Sequence, residues 1–154
     1  MEEELKLLGE NMSRGYDVIL DGNGLVLGRL ASVVAKLLLS GNIVHVVNVE
    51  KTVISKSKKS AVAITKARLE VRTLASQSKN PKRPKRPENI FRRTVRGMLP
   101  WKKPRGKTAY KKLRVYIGIP EQYSDVDLQV PSEAKPISSK YSPISMKDYA
   151  KIMG

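Results

Sequence analysis

Residues 43–49 read IVHVVNV, a nearly unbroken apolar and β-branched run. Such a run suits a strand buried on both faces, as the inner strands of a parallel sheet are. Parallel strands need a crossover between them, and the preceding residues supply one. DVIL (17–20) reads as a strand leading into a glycine-rich turn. Leu30, Val33, Val34, Leu37 and Leu38 then recur at helical spacing, which predicts a helix over about 27–40 with Gly41 as its stop. A strand–helix–strand unit of this kind closes with a right-handed crossover.

The remaining elements follow from the same patterns. TVIS (52–55) reads as a brief strand or turn, and a second helix is predicted from Lys58 to Ala75 with Ser55 or Ser57 as N-cap. LRVYIG (113–118) alternates as a strand does, and SMKDYAKIMG (145–154) reads as a short closing helix. Residues 119–143 carry four prolines and read as irregular. The order predicts an α/β fold of three layers, α/β/α. Its central, largely parallel sheet has about four strands, and a basic loop and helix extend from it. The chain divides into an N-terminal tail (1–15), a single α/β domain (16–123) with a basic arm at 79–112, and a C-terminal extension (124–154).

Charge sets this domain apart. The formal net charge is +16, yet residues 79–114 alone hold 15 Lys/Arg against one acid, Glu88. The other 118 residues come to +2. A nearly neutral domain therefore carries one strongly basic block, whose fixed positive potential attracts polyanions. In KNPKRPKRPEN (79–89), Pro81, Pro84 and Pro87 recur every third residue. Proline lacks an N–H and holds its predecessor extended, so this stretch reads as a polyproline-type arm, ordered on meeting a polyanion. Lys79, Lys82, Arg83, Lys85 and Arg86 project from it.

After Asn89, a predicted N-cap, IFRRTVRGML forms an amphipathic helix with Arg92, Arg93 and Arg96 within an arc of about 100°. Ile90, Phe91, Thr94, Val95 and Met98 fill much of the other side. A solvated face ordinarily mixes signs, whereas an all-arginine face offers planar forks that match phosphate oxygens. GMLPWKKPRGK (97–107) reads as a loop stiffened by Pro100 and Pro104, with Gly97 and Gly106 at turns or close approaches. Met98, Leu99 and Trp101 would anchor it, so that Lys102, Lys103, Arg105, Lys107, Lys111 and Lys112 project from a held scaffold. The rival role for Trp101, the chain's single tryptophan, is stacking on an unpaired base.

Other chemistries find little support. DGNGLVLGRLAS (21–32) resembles a dinucleotide-binding turn, with Glu50 near the end of the next strand. But Gly22, Gly24 and Gly28 are spaced one residue too long for G-x-G-x-x-G. His45 is the single histidine and cysteine is absent, so the common zinc sites cannot form from this chain. No nucleophile–base grouping is visible. The chain reads as a non-enzyme that needs no metal, cofactor or small-molecule substrate. No apolar run approaches 18 residues and the acidic start MEEELKLLGE lacks a signal pattern, which reads as a soluble intracellular protein; a membrane partner is disfavoured because the basic helix has only a short apolar face, next to prolines.

Three stretches together resemble a known family: VILDGNGLVLGRLASVVAKLLL (18–39), HVVNVEKTVISKSK (45–58) and FRRTVRGMLPWKKPRGKTAYKKLRVYIGIP (91–120). They are similar to the universal ribosomal large-subunit protein thirteen family. VRGMLPWKKPRGK is the most specific piece and resembles the archaeal and eukaryotic branch. The resemblance covers most of 16–123 and implies an α/β fold with a largely parallel sheet flanked by helices. It implies binding to large-subunit ribosomal RNA (rRNA) among neighbouring ribosomal proteins, and a structural role early in subunit assembly. The readings to weigh against it are an mRNA-binding translational regulator and a nucleotide-binding enzyme working through the Gly22–Gly28 turn.

Overall fold

A computed structural model of the chain describes residues 17–136 and 143–154. The tail at 1–15 lies outside these residues. The central sheet has three strands, β1 (Asp17–Asp21), β2 (Ile43–Val47) and β4 (Leu113–Val115), all parallel in the order β1-β2-β4. Helix α1 (Leu27–Leu39) is the crossover between β1 and β2. The register places Val18, Val44 and Leu113 in one row and Leu20, Val46 and Val115 in the next, all on one face. Against that face pack Leu30, Ala31, Val34, Ala35 and Leu38 of α1, every one buried. They are the apolar stripe that the helical spacing predicts.

The α/β class and the parallel sheet are as expected; the strand count is three rather than about four. The expected fourth strand does form, as β3 (Val53–Ile54), but it leaves the sheet. Asn48 adopts the left-handed conformation (φ 52°) and a 3-10 turn follows at Val49–Lys51. This turns the chain away, and β3 pairs antiparallel with β5 (Ile144–Ser145). Nor is β2 buried evenly on both faces: Val44 and Val46 on one face are fully buried, while on the other Ile43 and His45 are half-buried and Val47 is fully buried. A run of apolar residues does not report which face each one takes.

Helix α2 (Lys58–Glu70) starts as expected, with Ser57 Oγ accepting from the Ser60 N–H at 3.3 Å. It stops five residues before Ala75. Beyond it Val71 is 57 % exposed and Leu74 wholly exposed, so a longer helix would find no core to cover. Asn80 Oδ1 instead accepts from the Thr73 N–H at 2.6 Å, the kind of local bond that competes with helix. Helix α3 (Pro87–Met98) begins three residues earlier than expected, with Arg86 rather than Asn89 at the N-cap, because Pro87 occupies N1, where its missing N–H costs nothing. Helix α4 (Pro104–Lys111) starts with Pro104 at N1 in the same way, so much of the expected loop is helical.

The described residues beyond 123 are woven into the fold. Gln129 bonds the edge of β1, accepting from the Asp21 N–H and donating to the Ile19 carbonyl, each at 3.0 Å. Ala134 is fully buried. Helix α5 (Met146–Met153) is capped by Ser145, whose Oγ accepts from the Asp148 N–H at 3.1 Å and donates to Asp148 Oδ2 at 2.8 Å.

Candidate nucleic-acid interface

The basic block is built on α3. Phe91 and Val95 are fully buried in the main core and fix the helix's roll. That roll leaves Arg93 and Arg96 exposed and Arg92 half-buried. The chain then turns at Leu99, which is buried, while Met98 stays 41 % exposed. Burial at this corner therefore rests on Leu99 rather than on Met98.

Trp101 is half-buried, and its surroundings are cationic. The Arg96 guanidinium lies over the ring, 4.1 Å from its centroid. Tyr110 of α4 meets Trp101 edge-on at 5.3 Å, and the Arg92 guanidinium lies 5.5 Å from the Tyr110 centroid. Two arginines of α3 are thus shelved on two aromatic rings that belong to the next turn and helix. Each such contact is worth about 0.5–2 kcal/mol, depending on solvation. It engages the flat face of the guanidinium and leaves the N–H edges to reach an anion. One face of Trp101 is covered by Arg96.

Gly106 explains why the corner is tight. It is buried, and a Cβ there would run into the Pro100 carbonyl. The first turn of α4 passes directly against the loop, and only glycine allows that approach. Two cations hold α4 from its other side. Arg105 Nη2 donates to the Leu39 carbonyl at 3.2 Å and Lys112 Nζ to the Gly41 carbonyl at 2.7 Å. Positive charge at the carbonyl end of α1 is favourable.

The structure brings Arg92, Arg96 and the α4 corner together. Lys102, Lys103, Lys107 and Lys111 are exposed there. The arm carrying Lys79, Lys82, Arg83, Lys85 and Arg86 lies apart, against α2 and α3. Arg83 Nε donates to the Arg68 carbonyl at 3.1 Å, and Arg93 Nη1 donates to the Lys82 carbonyl at 2.8 Å. The arm, expected to gain order only from a partner, is bonded to the domain at these points. Among the described residues the block contains one ion pair, Arg86–Glu88 at 4.0 Å. Among the described residues its other cations have no carboxylate within that distance. Two participants, Tyr110 and Arg68, were not singled out by the sequence. Neither carries a local signal, since what matters is the residue each meets across the fold.

The residues that resembled a nucleotide site have structural partners. A Cβ on Gly22 would sit 2.9 Å from Thr52 Cγ2 and 3.0 Å from the Val47 carbonyl. Asp21 Oδ1 accepts from the Asn23 N–H at 3.0 Å and from Asn48 Nδ2 at 2.9 Å. Glu50 Oε2 accepts from the Gly118 N–H at 3.1 Å. The glycine turn and its acid thus close the ends of the strands. His45 faces the other side of the sheet, where its Nδ1 lies 3.0 Å from the Tyr123 hydroxyl. Among the described residues no three His, Asp or Glu side chains cluster as a metal site would need, and no helix is long and apolar enough to cross a membrane.

The chain is similar to known proteins over this region. A family model described as ribosomal protein L13 matches residues 17–122. A large ribosomal subunit protein uL13 from Methanococcoides burtonii is 49 % identical over 109 residues, which is 71 % of this chain and 76 % of that one. The uL13 of Methanosphaera stadtmanae is 44 % identical over 119 residues, covering 77 % and 84 % of the two chains. That of Methanosarcina barkeri is 43 % identical over 140 residues, covering 88 % and 96 %. The match takes in α3, the Trp101 turn, Gly106 and α4 together, and by it this chain belongs to the ribosomal protein L13 family.

Proposed function

We propose that this chain is a structural constituent of the large ribosomal subunit that binds large-subunit rRNA and joins the particle early in its assembly. The observation that carries the reading is the α3–α4 corner, where arginines are shelved on Trp101 and Tyr110 and lysines project with no carboxylate of the described residues beside them. Fixed cations of one sign on a packed scaffold suit a dense polyanion. A-form RNA hides base edges in its deep groove, so recognition rests mainly on phosphate, sugar and shape. Uniform selection for charge rather than base contacts is what an all-basic face provides. The similarity to uL13 proteins of the large subunit supports the same reading. Residues 119–134 hold four acids and no Lys or Arg, so phosphate repels that segment and neighbouring subunit proteins are its natural contacts.

Arg96, Lys102 and Lys103 are exposed, which makes them suitable for charge reversal. The triple variant Arg96→Glu, Lys102→Glu, Lys103→Glu should keep its circular dichroism and stay at the top of a sucrose gradient. The unaltered protein should sediment with large subunits and, in pulse labelling, with their early precursors. Normal incorporation of a folded triple variant would reject the assignment.

A further inference from the structure

A cavity of about 270 Å³ lies between α2, the arm, α3 and α5. Arg68, Arg83 and Arg93 line it together with Tyr149, and Ile90 and Met153 give it an apolar side. These three arginines come from three different segments. Two of them are fixed by main-chain carbonyls rather than by acids, through the Arg83–Arg68 and Arg93–Lys82 bonds. Among the described residues the ion pairs are Lys36–Glu133 and Arg86–Glu88, so none of the three has a carboxylate within 4.0 Å. Gathering like charges around one cavity costs electrostatic energy, and an anion in the cavity removes that cost. The N–H groups that the carbonyls leave unused form the planar forks that suit phosphate oxygens. The apolar side suits the sugar that a backbone phosphate brings with it.

We infer that this cavity is a phosphate-binding pocket, and that its occupant is a backbone phosphate of the RNA held by the basic block. The inference rests on the RNA-binding reading and extends the interface to α2 and α5, on the side of α3 that carries Ile90, Arg93 and Thr94. Arg68 is the residue to test, because it is exposed and its guanidinium donates to no described group. The experiment is a salt titration of full-length protein on a large-subunit rRNA transcript by filter binding. Arg68→Ala should weaken binding about tenfold, the loss of one charged hydrogen-bonded contact. It should also reduce the slope of log K against log salt by about one, with the melting temperature unchanged.

Calorimetry with sodium pyrophosphate separates the two sources of phosphate. Saturable heat that Arg68→Ala removes, with the RNA slope unmoved, would keep the pocket and assign it to a free phosphate compound. If the unaltered protein binds rRNA but Arg68→Ala changes neither slope nor affinity and no Arg68-dependent heat appears, the pocket is overturned while the RNA reading stands. If the unaltered protein shows no salt-dependent rRNA binding, the RNA reading itself falls.

Discussion

Gly106 is the residue on which the geometry of the basic corner turns. Its hydrogen faces the Pro100 carbonyl, and any larger group forces α4 away from the loop that carries Trp101. Gly106→Ala should therefore lower stability by about 1–3 kcal/mol, the usual cost of overpacking, measured by urea unfolding. Gly28 makes the opposite case. It stands in the first turn of α1 with open space where a Cβ would go and no left-handed φ. Gly28→Ala should raise stability by about 0.4–1 kcal/mol, mainly by restricting the unfolded chain. Two glycines that look equally motif-like in the sequence thus differ in sign. The difference comes from a carbonyl six residues before Gly106, and no helical pattern announces it.

At the scale of elements, α3 and α4 act as a pair. The arginines sit on α3, while the rings that orient two of them belong to the turn and to α4. Trp101→Leu removes one ring and no charge. The salt slope of rRNA binding should then stay as it is, while affinity falls about two- to fivefold from the lost cation–π contact. A loss well beyond tenfold at constant slope would instead mean that Trp101 stacks on a base, a contact worth about 1–3 kcal/mol. Filter binding across a salt series distinguishes the two. The arginine face itself was legible, because α3 obeys the helical period on which the wheel depends. The shelf was not, because the sequence treats 97–107 as loop and gives no reason to bring Tyr110 back toward Arg92.

Across the whole molecule the two faces of the sheet have different covers. Helices α1, α3 and α4 seal one face, and the segment after β4 crosses the other to pair Gln129 with β1. Tyr123 and Tyr116 of that segment pack around His45. Burial lowers the His45 pKa below its usual 6.5, Asp17 opposes the shift and Arg114 adds to it. As pH falls through about 6.5, the unfolded chain takes up its proton before the folded one does, so stability must decline. His45→Gln should flatten that decline between about pH 7.5 and 5.5. Urea midpoints at several pH values, unaltered protein against variant, measure it. Parallel curves would show that burial does not hold the ring neutral.

Local pattern was enough to find β1, α1 and β2, the arginine face of α3 and the basic block between 79 and 114. Each is encoded in neighbours: a period of two or 3.6, a cap, a run of one charge. Only the tertiary structure decided that Val53 pairs with Ser145, that Ala134 belongs to the core, that Arg83 reaches Arg68 and that Arg96 lies on Trp101. Most of these join segments far apart in the chain. Such contacts are fixed by how the sheet and helices close on one another, since the sequence around either partner carries no record of the other.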